Sequence, residues 1–396
     1  MKKIIISVTN DLVSDQRTHK TALSLTKWGT SVLLIGRKRF NSLPLNVRPY
    51  KTKRFRLLFN KGPCFYAEYN TRLFFYLLFA SFDIAVSNDL DTLPANFTAT
   101  KLRGKKLVYD SHEYFTEVPE LKGRNTTRRI WLAIEKFILP KVKYSYTVCD
   151  SIAKIYHAKY GIQMKVVRNL PESGVHNKSH PSSVIRHPSS VIRHQPSVIR
   201  HQPSVISSVL KFKNGDKKII IYQGALNVGR GIETVIRAMQ LLEDAVFVVI
   251  GDGDIREQLK DIVLQLGVKE KVIFTGKIPF EELPQYTQQA DVGISLEENN
   301  GLNYYYSLPN KLFDYIQAGI PVLVSDLPEV KAIVNTYQIG RVAENHSVNH
   351  IAETIRFMLN DQNQRAIWKT NIDKAAKELC WANEEKIIAE IYRPLL

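Results

Sequence analysis

Short apolar runs rich in β-branched residues alternate with helix-length amphipathic segments along most of this chain. The runs Lys3–Val8, Lys218–Gly224 and Ala245–Gly251 show little polar alternation, which is typical of strands buried on both faces of a parallel sheet. The segment from Ile232 to Met239 instead repeats apolar residues with a helical period. Because the strand–helix alternation occurs in both halves of the chain, it predicts two doubly wound α/β domains.

The alternation also predicts the limits of these domains. We expect an N-terminal domain at 1–170, a linker at 171–216, a second domain at 217–380 and a C-terminal helix at 381–396 that crosses back to the first domain. The other predicted strands are Ser31–Gly36, Ile84–Ser87, Lys106–Ser111, Ser145–Asp150, Lys165–Asn169, Lys271–Gly276, Val292–Leu296, Pro321–Asp326 and Ile339–Ala343.

A near-perfect seven-residue tandem repeat occupies residues 182–206. Its recurrent proline excludes a continuous helix, and therefore a coiled coil. Histidines recur every seven residues at His180, His187, His194 and His201. We interpret them as copies of one repeated unit in a disordered linker rather than as metal ligands.

Positive charge is concentrated in the first half of the chain. Residues 1–170 contain 30 Lys and Arg and 12 Asp and Glu. The whole chain contains 55 Lys and Arg and 38 Asp and Glu, so the excess of positive charge lies in the first half. This asymmetry favours an anionic partner such as a membrane leaflet, a nucleic acid or a phosphorylated substrate, the alternative being a solvated basic surface. The three scattered cysteines and the lack of a secretory signal predict a cytoplasmic protein, soluble or peripheral on a membrane.

Residues 51–82 combine basic and aromatic side chains in a pattern typical of a membrane-interface patch. The alternative is that Leu73–Ala80 forms an ordinary buried helix with basic neighbours. The patch consists of Lys51, Lys53, Arg54, Phe55, Arg56, Leu57, Leu58, Phe59, Lys61, Arg72, Phe74, Phe75 and Leu77.

Two glycine-containing loops follow predicted strands of the second half, where parallel sheets bind ligands. The first holds Gly224, Gly229 and Gly231 together with Arg230. Glycines let a backbone approach a diphosphate, and an arginine can bind phosphate in a bidentate manner. The second loop is Gly251-Asp252-Gly253. Either loop is equally compatible with a tight turn that binds nothing.

A third loop leads into a predicted helix and carries both charge signs. Ser307 fits a helix N-cap, and Pro309 fits the first turn. Asn310 and Lys311 follow, where a cation opposes the helix dipole unless an anion binds nearby. Asp314 lies three residues beyond Lys311, on the same helical face. Lys311 could therefore bind phosphate while Asp314 accepts ribose hydroxyl groups, the alternative being a surface Lys–Asp pair.

The first half offers fewer candidates for a site. Arg17 lies at the start of a predicted helix and could reach a phosphate. Asp110 lies near the end of the predicted strand Lys106–Ser111, and His112 and Glu113 follow that strand. The Asp-x-Asp of residues 89–91 is a metal-binding pattern in another architecture, but here we interpret it as a turn and helix cap.

Together these motifs resemble the retaining glycosyltransferases of group 1, a family-4-like group with the two-domain GT-B architecture. The resemblance rests on residues 224–231, 251–253 and 307–321 and on the C-terminal helix that begins at Trp381. It implies that Arg230 contacts the donor diphosphate, that Asp314 holds the ribose and that His112 lies near the reacting sugar. Tyr306 stands where the family has its first acidic residue, and Ala225 where it has an arginine.

The resemblance also implies an activity. The chain is expected to transfer a hexose from a nucleoside-diphosphate sugar to a lipid-linked or polysaccharide acceptor, with retention of configuration and without a metal or other cofactor. Arg230, Lys311 and His112 would be the catalytic groups, and no nucleic acid would be bound. A nucleotide-sugar epimerase and an inactive nucleotide-binding relative remain alternatives. A dehydrogenase is disfavoured because no Gly-x-Gly-x-x-Gly follows the first strand.

Overall fold

Two parallel sheets, one in each half of the chain, form the framework of the protein. A computed structural model describes residues 1–13, 15–172 and 217–396. One sheet has seven strands and the other has six, and the paired strands run parallel. The predicted class, two doubly wound α/β units, is confirmed. The tandem repeat at 182–206 and most of the expected linker lie outside the described residues.

The first sheet has its first strand, β1, near the centre. Its strands are β1 (Lys3–Asp11), β2 (Ser31–Lys38), β3 (Lys51–Arg56), β4 (Ile84–Asn88), β5 (Lys106–Ser111), β6 (Tyr144–Thr147) and β7 (Lys165–Val166). Its α-helices are α1 (Gln16–Lys27), α2 (Gly62–Phe79), α3 (Leu93–Leu102), α4 (Asn125–Ile138) and α5 (Asp150–Tyr160). The strand order β3-β2-β1-β4-β5-β6-β7 reverses direction at β1, so a crevice opens between β1 and β4 at their carboxyl ends.

The second sheet repeats this arrangement around β8. Its strands are β8 (Lys218–Gln223), β9 (Ala245–Ile250), β10 (Val272–Gly276), β11 (Val292–Ser295), β12 (Val322–Ser325) and β13 (Gly340–Ala343), in the order β10-β9-β8-β11-β12-β13. The α-helices are α6 (Ile232–Ala238), α7 (Arg256–Gln265), α8 (Leu283–Thr287), α9 (Leu302–Tyr305), α10 (Asn310–Ala318), α11 (Pro328–Tyr337), α12 (Val348–Asn360), α13 (Gln362–Glu378) and α14 (Trp381–Tyr392). Here the strand order reverses between β8 and β11.

Two local predictions were wrong. The charged strand β3 was not predicted, because an edge strand needs apolar residues on only part of its surface, and Lys51, Thr52 and Lys53 are exposed. Asp150 was predicted to end a strand but instead begins α5, one residue after its N-cap residue Cys149. The remaining predicted strands are present, with ends that shift by up to three residues.

The C-terminal helix α14 packs into the core of the first sheet. Its indole at Trp381 is fully buried and donates from Nε1 to Ser24 Oγ in α1 at 3.1 Å. Ile388 and Tyr392 of the same helix belong to the apolar cluster that contains Ile4 and other residues of β1. The last residues of the chain therefore complete the core of the first half.

Replacing Trp381 with alanine should lower the free energy of unfolding by about 3–5 kcal/mol, because a fully buried indole would leave a cavity between α14 and α1. Urea unfolding followed by fluorescence and circular dichroism would measure the loss. The exposed Phe79→Ala variant is the control and should change stability by no more than about 0.5 kcal/mol. Equal effects of the two substitutions would contradict the packing described for α14.

Candidate active site between the two sheets

The glycines after β8 and β9 are required by how closely the strand ends approach each other. Gly251 has a φ of 138°, and a Cβ there would collide with the carbonyl oxygen of Gly224. Gly231 has a φ of 70° and lies against the carbonyl oxygen of Leu296. Gly253 is equally tight against the backbone of the first loop. These glycines therefore bring the two predicted donor loops together at one edge of the sheet.

A buried carboxylate, which the sequence analysis did not single out, lies at this edge. Glu297 follows β11 and is 1% exposed. It accepts hydrogen bonds from Lys311 Nζ at 2.7 Å and from Ser295 Oγ at 2.7 Å. Arg230 Nη1 lies 3.6 Å from the same carboxylate. Burial alone would raise the pKa of Glu297, but Lys311 and the hydrogen bonds outweigh burial and lower it, so the group is ionised.

The two predicted phosphate-binding cations thus converge on one anion. Lys311 Nζ also lies 4.1 Å from the centre of the Tyr222 ring, which fixes its approach to the loop at Gly224. The Arg230 guanidinium stacks on Tyr304 at 4.8 Å, and its Nε has no hydrogen-bond partner. With two cations and one carboxylate, the group keeps one net positive charge that can receive a further anion.

Helix α10 starts later than the sequence suggested. Pro309 is the N-cap residue and no side chain caps the helix. Ser307, predicted as the cap, instead donates from Oγ to the carbonyl of Tyr304 at 2.8 Å, because α9 ends immediately before it. Asn310 is the first helical residue and is exposed. The predicted N-cap at Ser307 was therefore wrong.

Lys311 and Asp314 do not form the surface pair considered as an alternative. While Lys311 binds Glu297, Asp314 Oδ2 accepts a hydrogen bond from Gln223 Nε2 at 2.8 Å. Burial raises the pKa of Asp314 to about 6, and the Gln223 hydrogen bond opposes this rise. Both side chains of α10 thus face inward, toward the end of β8.

Two cavities open where the halves of the chain face each other. The larger, of about 1120 Å³, is lined from the second half by Asn227, Arg230, Asn303 and Tyr304 and from the first half by residues that include Asp91 and Glu113. The smaller, of about 290 Å³, lies between α1, α8 and α10 and is lined by residues that include Lys20, Gln223, Phe280, Leu283 and Asp314. Arg230 and Asp314 therefore line different cavities, and Lys311 lies one turn before Asp314 on α10.

On the first half, Arg17 is committed to a buried ion pair. Arg17 Nη2 donates to Asp110 Oδ1 at 2.7 Å, and Nη1 donates to the carbonyl of Val167 at 2.8 Å. Both side chains are buried, so the Arg17 guanidinium is already paired with a carboxylate inside the first half. Burial alone would raise the pKa of Asp110, yet Arg17 and His112 lower it to about 2.

His112 is held between two carboxylates. Its Nε2 lies 3.0 Å from Asp110 Oδ2, and its Nδ1 lies 3.5 Å from Asp89 Oδ2. Although burial by itself lowers the pKa of His112, the two carboxylates raise it to about 9. The imidazole is consequently a cation at neutral pH, and both ring nitrogens face protein groups.

The Asp-x-Asp segment is a turn but not the helix cap that was expected. Asp89 has a φ of 58° and accepts the backbone N–H of His112 at 2.7 Å. The N-cap of α3 is Thr92, without a side-chain cap, while Asp91 accepts from Thr9 Oγ1 and faces the larger cavity. That carboxylate was assigned the wrong role because its partner is 82 residues away in sequence.

Contacts across the cleft come from α9. Asn303 Nδ2 donates to Glu113 Oε2 at 3.2 Å, and Asn303 Oδ1 accepts the backbone N–H of Tyr114 at 3.0 Å. Glu113, one of the predicted residues, thus lines the larger cavity and contacts the opposite half. Within the described ranges, no cluster of three or more His, Cys, Asp or Glu residues could hold a metal ion.

Comparison with known proteins finds similarities that lie mainly in the second half of the chain. Residues 209–375 match the sequence model of the family "Glycosyl transferases group 1". An uncharacterized glycosyltransferase of Methanocaldococcus jannaschii is 31% identical over 184 residues, which are 45% of each chain. A GDP-mannose-dependent phosphatidylinositol monomannoside mannosyltransferase of Mycobacterium tuberculosis is 23% identical over 159 residues, 39% of this chain and 41% of the relative. The matches span less than half the length of these relatives.

Solved structures match over the whole chain at low identity. Sucrose-phosphate synthase from Thermosynechococcus elongatus superimposes with a TM-score of 0.75 at 17% identity, covering 100% of this chain and 99% of that one. The Anabaena protein HepE in complex with UDP gives a TM-score of 0.71 at 15% identity, covering 100% of both chains. These likenesses confirm the predicted GT-B architecture.

Glu297 should be essential to the stability of this edge. Glu297→Ala leaves the buried Lys311 ammonium without its partner, so we expect a loss of about 3–5 kcal/mol in the free energy of unfolding. The neighbouring Glu298→Ala, which removes a less buried carboxylate with no ion pair in the described residues, should cost less than about 1 kcal/mol. Urea denaturation of both variants is the measurement, and similar midpoints would refute the role given to Glu297.

Proposed function

We propose, from the match of residues 209–375 to the model of the group 1 glycosyl transferases, that this protein transfers a sugar from a nucleoside-diphosphate sugar to an acceptor. The observation that carries the proposal is the convergence of Arg230 and Lys311 at the ends of β8 and β11. Two cations with one buried counter-ion form a site for the diphosphate that leaves in this reaction. The adjoining cavities provide separate volumes for a nucleoside and an acceptor.

In this proposal the nucleoside binds in the smaller cavity. Its walls combine the apolar side chains of Phe280 and Leu283 with the carboxylate of Asp314, which would accept the ribose hydroxyl groups. The diphosphate would then lie across the loop at Gly224, near Lys311. The sugar would extend past Arg230 into the larger cavity, where Asp91 and Glu113 line the opposite wall.

The proposed transfer breaks the bond between the anomeric carbon and the diphosphate oxygen and forms a bond from that carbon to an acceptor oxygen. Arg230 and Lys311 would stabilise the negative charge that grows on the departing diphosphate, so no metal is required. The acceptor oxygen would attack from the same face of the sugar that the diphosphate leaves, which keeps the configuration. Its proton would pass to an oxygen of the departing phosphate. The His112 imidazolium would contribute positive charge beside the sugar.

An epimerase of the same architecture would need no acceptor. The large cavity on the face of the first half, which extends well beyond the donor loop, favours transfer over epimerisation. The name of the mycobacterial relative describes a lipid-linked acceptor for that protein. We infer by analogy an acceptor that is part of a lipid-linked or polysaccharide glycan, assembled at the cytoplasmic face of a membrane.

Nucleoside diphosphates should raise the melting temperature of the protein, and Arg230→Gln should weaken their binding at least about tenfold, because a charge-assisted contact to phosphate is lost. A panel of UDP, GDP and ADP measured by thermal shift and calorimetry tests this and identifies the base. Arg237→Gln is the matched control, since Arg237 is an exposed arginine of α6 in the same half. No stabilisation by any of the three nucleotides would refute the proposal.

A basic, partly apolar surface on α2, α3 and α4 supports the proposed membrane association. No helix in the described part of the chain is long and apolar enough to cross a membrane. Within the patch predicted at 51–82, Phe55 and Leu77 are buried and Arg54 pairs with Asp11, whereas Leu58, Phe59 and Phe75 are exposed. Exposed apolar side chains also extend over the three adjacent helices. They are Phe75, Phe79, Leu102, Ile130 and Phe137, with the exposed Lys101, Lys136 and Lys141 near them.

This surface should bind anionic vesicles. We expect the protein to float with vesicles of phosphatidylglycerol and phosphatidylcholine and to bind little to phosphatidylcholine alone. At 0.5 M salt the bound fraction should fall on the order of threefold or more. The double variant Phe79→Ser and Phe137→Ser should bind less, whereas Leu264→Ser, an equally exposed change in the second half, should not. Salt-insensitive or absent binding would contradict the membrane role while leaving the transfer reaction untouched.

A further inference from the structure

Three residues that line the larger cavity each carry a buried polar atom with no hydrogen-bond partner in the described part of the chain. They are Oδ1 of Asp91, Nε of Arg37 and Nε of Arg230. A buried polar atom left unpaired is unfavourable, so three of them beside one cavity point to a ligand that pairs with these side chains. Arg230 belongs to the donor loop already described. Asp91 and Arg37 lie on the opposite wall, and the donor accounts for neither.

Asp91 presents a fixed hydrogen-bond acceptor to the cavity. The side chain is 7% exposed, and its Oδ2 is held by the hydroxyl of Thr9. Its backbone carbonyl is held by Asn70 Nδ2 at 2.7 Å, so the residue cannot easily turn away. Burial raises the pKa of Asp91 to about 7, so the carboxyl group is partly ionised at neutral pH. The complement of the free Oδ1 is a donor such as a hydroxyl group.

Arg37, in contrast to Asp91, carries a positive charge and hydrogen-bond donors. Its guanidinium lies over the Phe65 ring at 4.7 Å, and its Nη1 reaches the carbonyl of Asn60 at 3.4 Å. No ion pair among the described residues includes Arg37, although it borders the same cavity as the Asp91 carboxylate. Arg39 and Lys61, which also line the cavity, have no ion pair there either. Lys61 precedes α2, whose first-turn amides add partial positive charge.

We propose that the acceptor carries an anionic phosphoryl group, held by Arg37, Arg39 and Lys61, and a hydroxyl group, held by Asp91. A neutral glycan would leave the three cations unpaired, and an anion without a hydroxyl group would face the Asp91 carboxylate unfavourably. A phosphate that also carries a hydroxyl group pairs with the three cations and donates a hydrogen bond to Asp91. The inference rests on the proposed transfer, because Arg230 of the donor loop closes the same cavity. A soluble sugar phosphate and a phospholipid headgroup share this chemistry.

Ligand-observed NMR titration with glucose 6-phosphate and with glucose tests the anion site. The phosphorylated probe should bind the wild-type protein at least about tenfold more tightly. Arg37→Gln should remove that preference, Arg37→Lys should restore part of it, and Asp91→Asn should weaken both probes. Arg56→Gln, an exposed change of equal charge in the same half, should have no effect. Equal affinity of the wild-type protein for the two probes, or a preference that survives Arg37→Gln, would overturn the anion site.

A second measurement distinguishes the two sources of phosphate. Vesicles of phosphatidylglycerol offer headgroup hydroxyl groups that vesicles of phosphatidylserine lack, at equal net charge. A preference for phosphatidylglycerol that Asp91→Asn abolishes supports a lipid acceptor, whereas an Asp91-dependent affinity for glucose 6-phosphate alone supports a soluble one. If neither probe depends on Asp91, the hydroxyl site is refuted. Melting curves with UDP and GDP on Arg37→Gln separate these outcomes from a failure of the donor site, which that substitution should leave intact.

Discussion

The buried pair of Glu297 and Lys311 is the interaction on which the second half of the cleft depends. An ammonium group at 8% exposure would be costly without a partner, and the carboxylate at 1% exposure would be more so. Together they fix the first turn of α10 against the end of β11. Because Arg230 approaches the same carboxylate, the donor loop is tied to that helix as well. One ion pair thereby sets the position of both cations proposed to bind the donor diphosphate.

The first half contains a corresponding charged network with a different balance. Arg17 and His112 share Asp110, and His112 also faces Asp89. Arg17 and His112 share the ionised carboxylate of Asp110, and burial raises the pKa of Asp89 to about 8, so this network keeps positive charge beside the cleft. The carboxylates that border the larger cavity, Asp91 and Glu113, lie next to this network. The acceptor side of the cleft is thus built from residues next to the network rather than from its centre.

Local sequence patterns identified every strand of the described residues except β3 and pointed to the loops that we propose bind the donor. Continuous apolar runs identified buried parallel strands because such strands need no polar face. The same reasoning missed β3, a charged edge strand. The motif at residues 307–314 identified the right helix but the wrong cap, since Ser307 had a nearer acceptor in the preceding turn. Asp91 was interpreted as a cap for the same reason, namely that its true partner is remote in sequence.

The sequence alone determined the α/β class, the two-sheet organisation and the glycines that let the strand ends meet, because hydrophobic period and backbone freedom are local properties. The tertiary structure decided the rest: that Glu297 holds Lys311, that Arg17 is committed to Asp110, and that Asp91 and Arg37 face one cavity without touching. The charge state and availability of a side chain depend on its neighbours in space. Those neighbours come from strand ends that only the assembled sheets bring together.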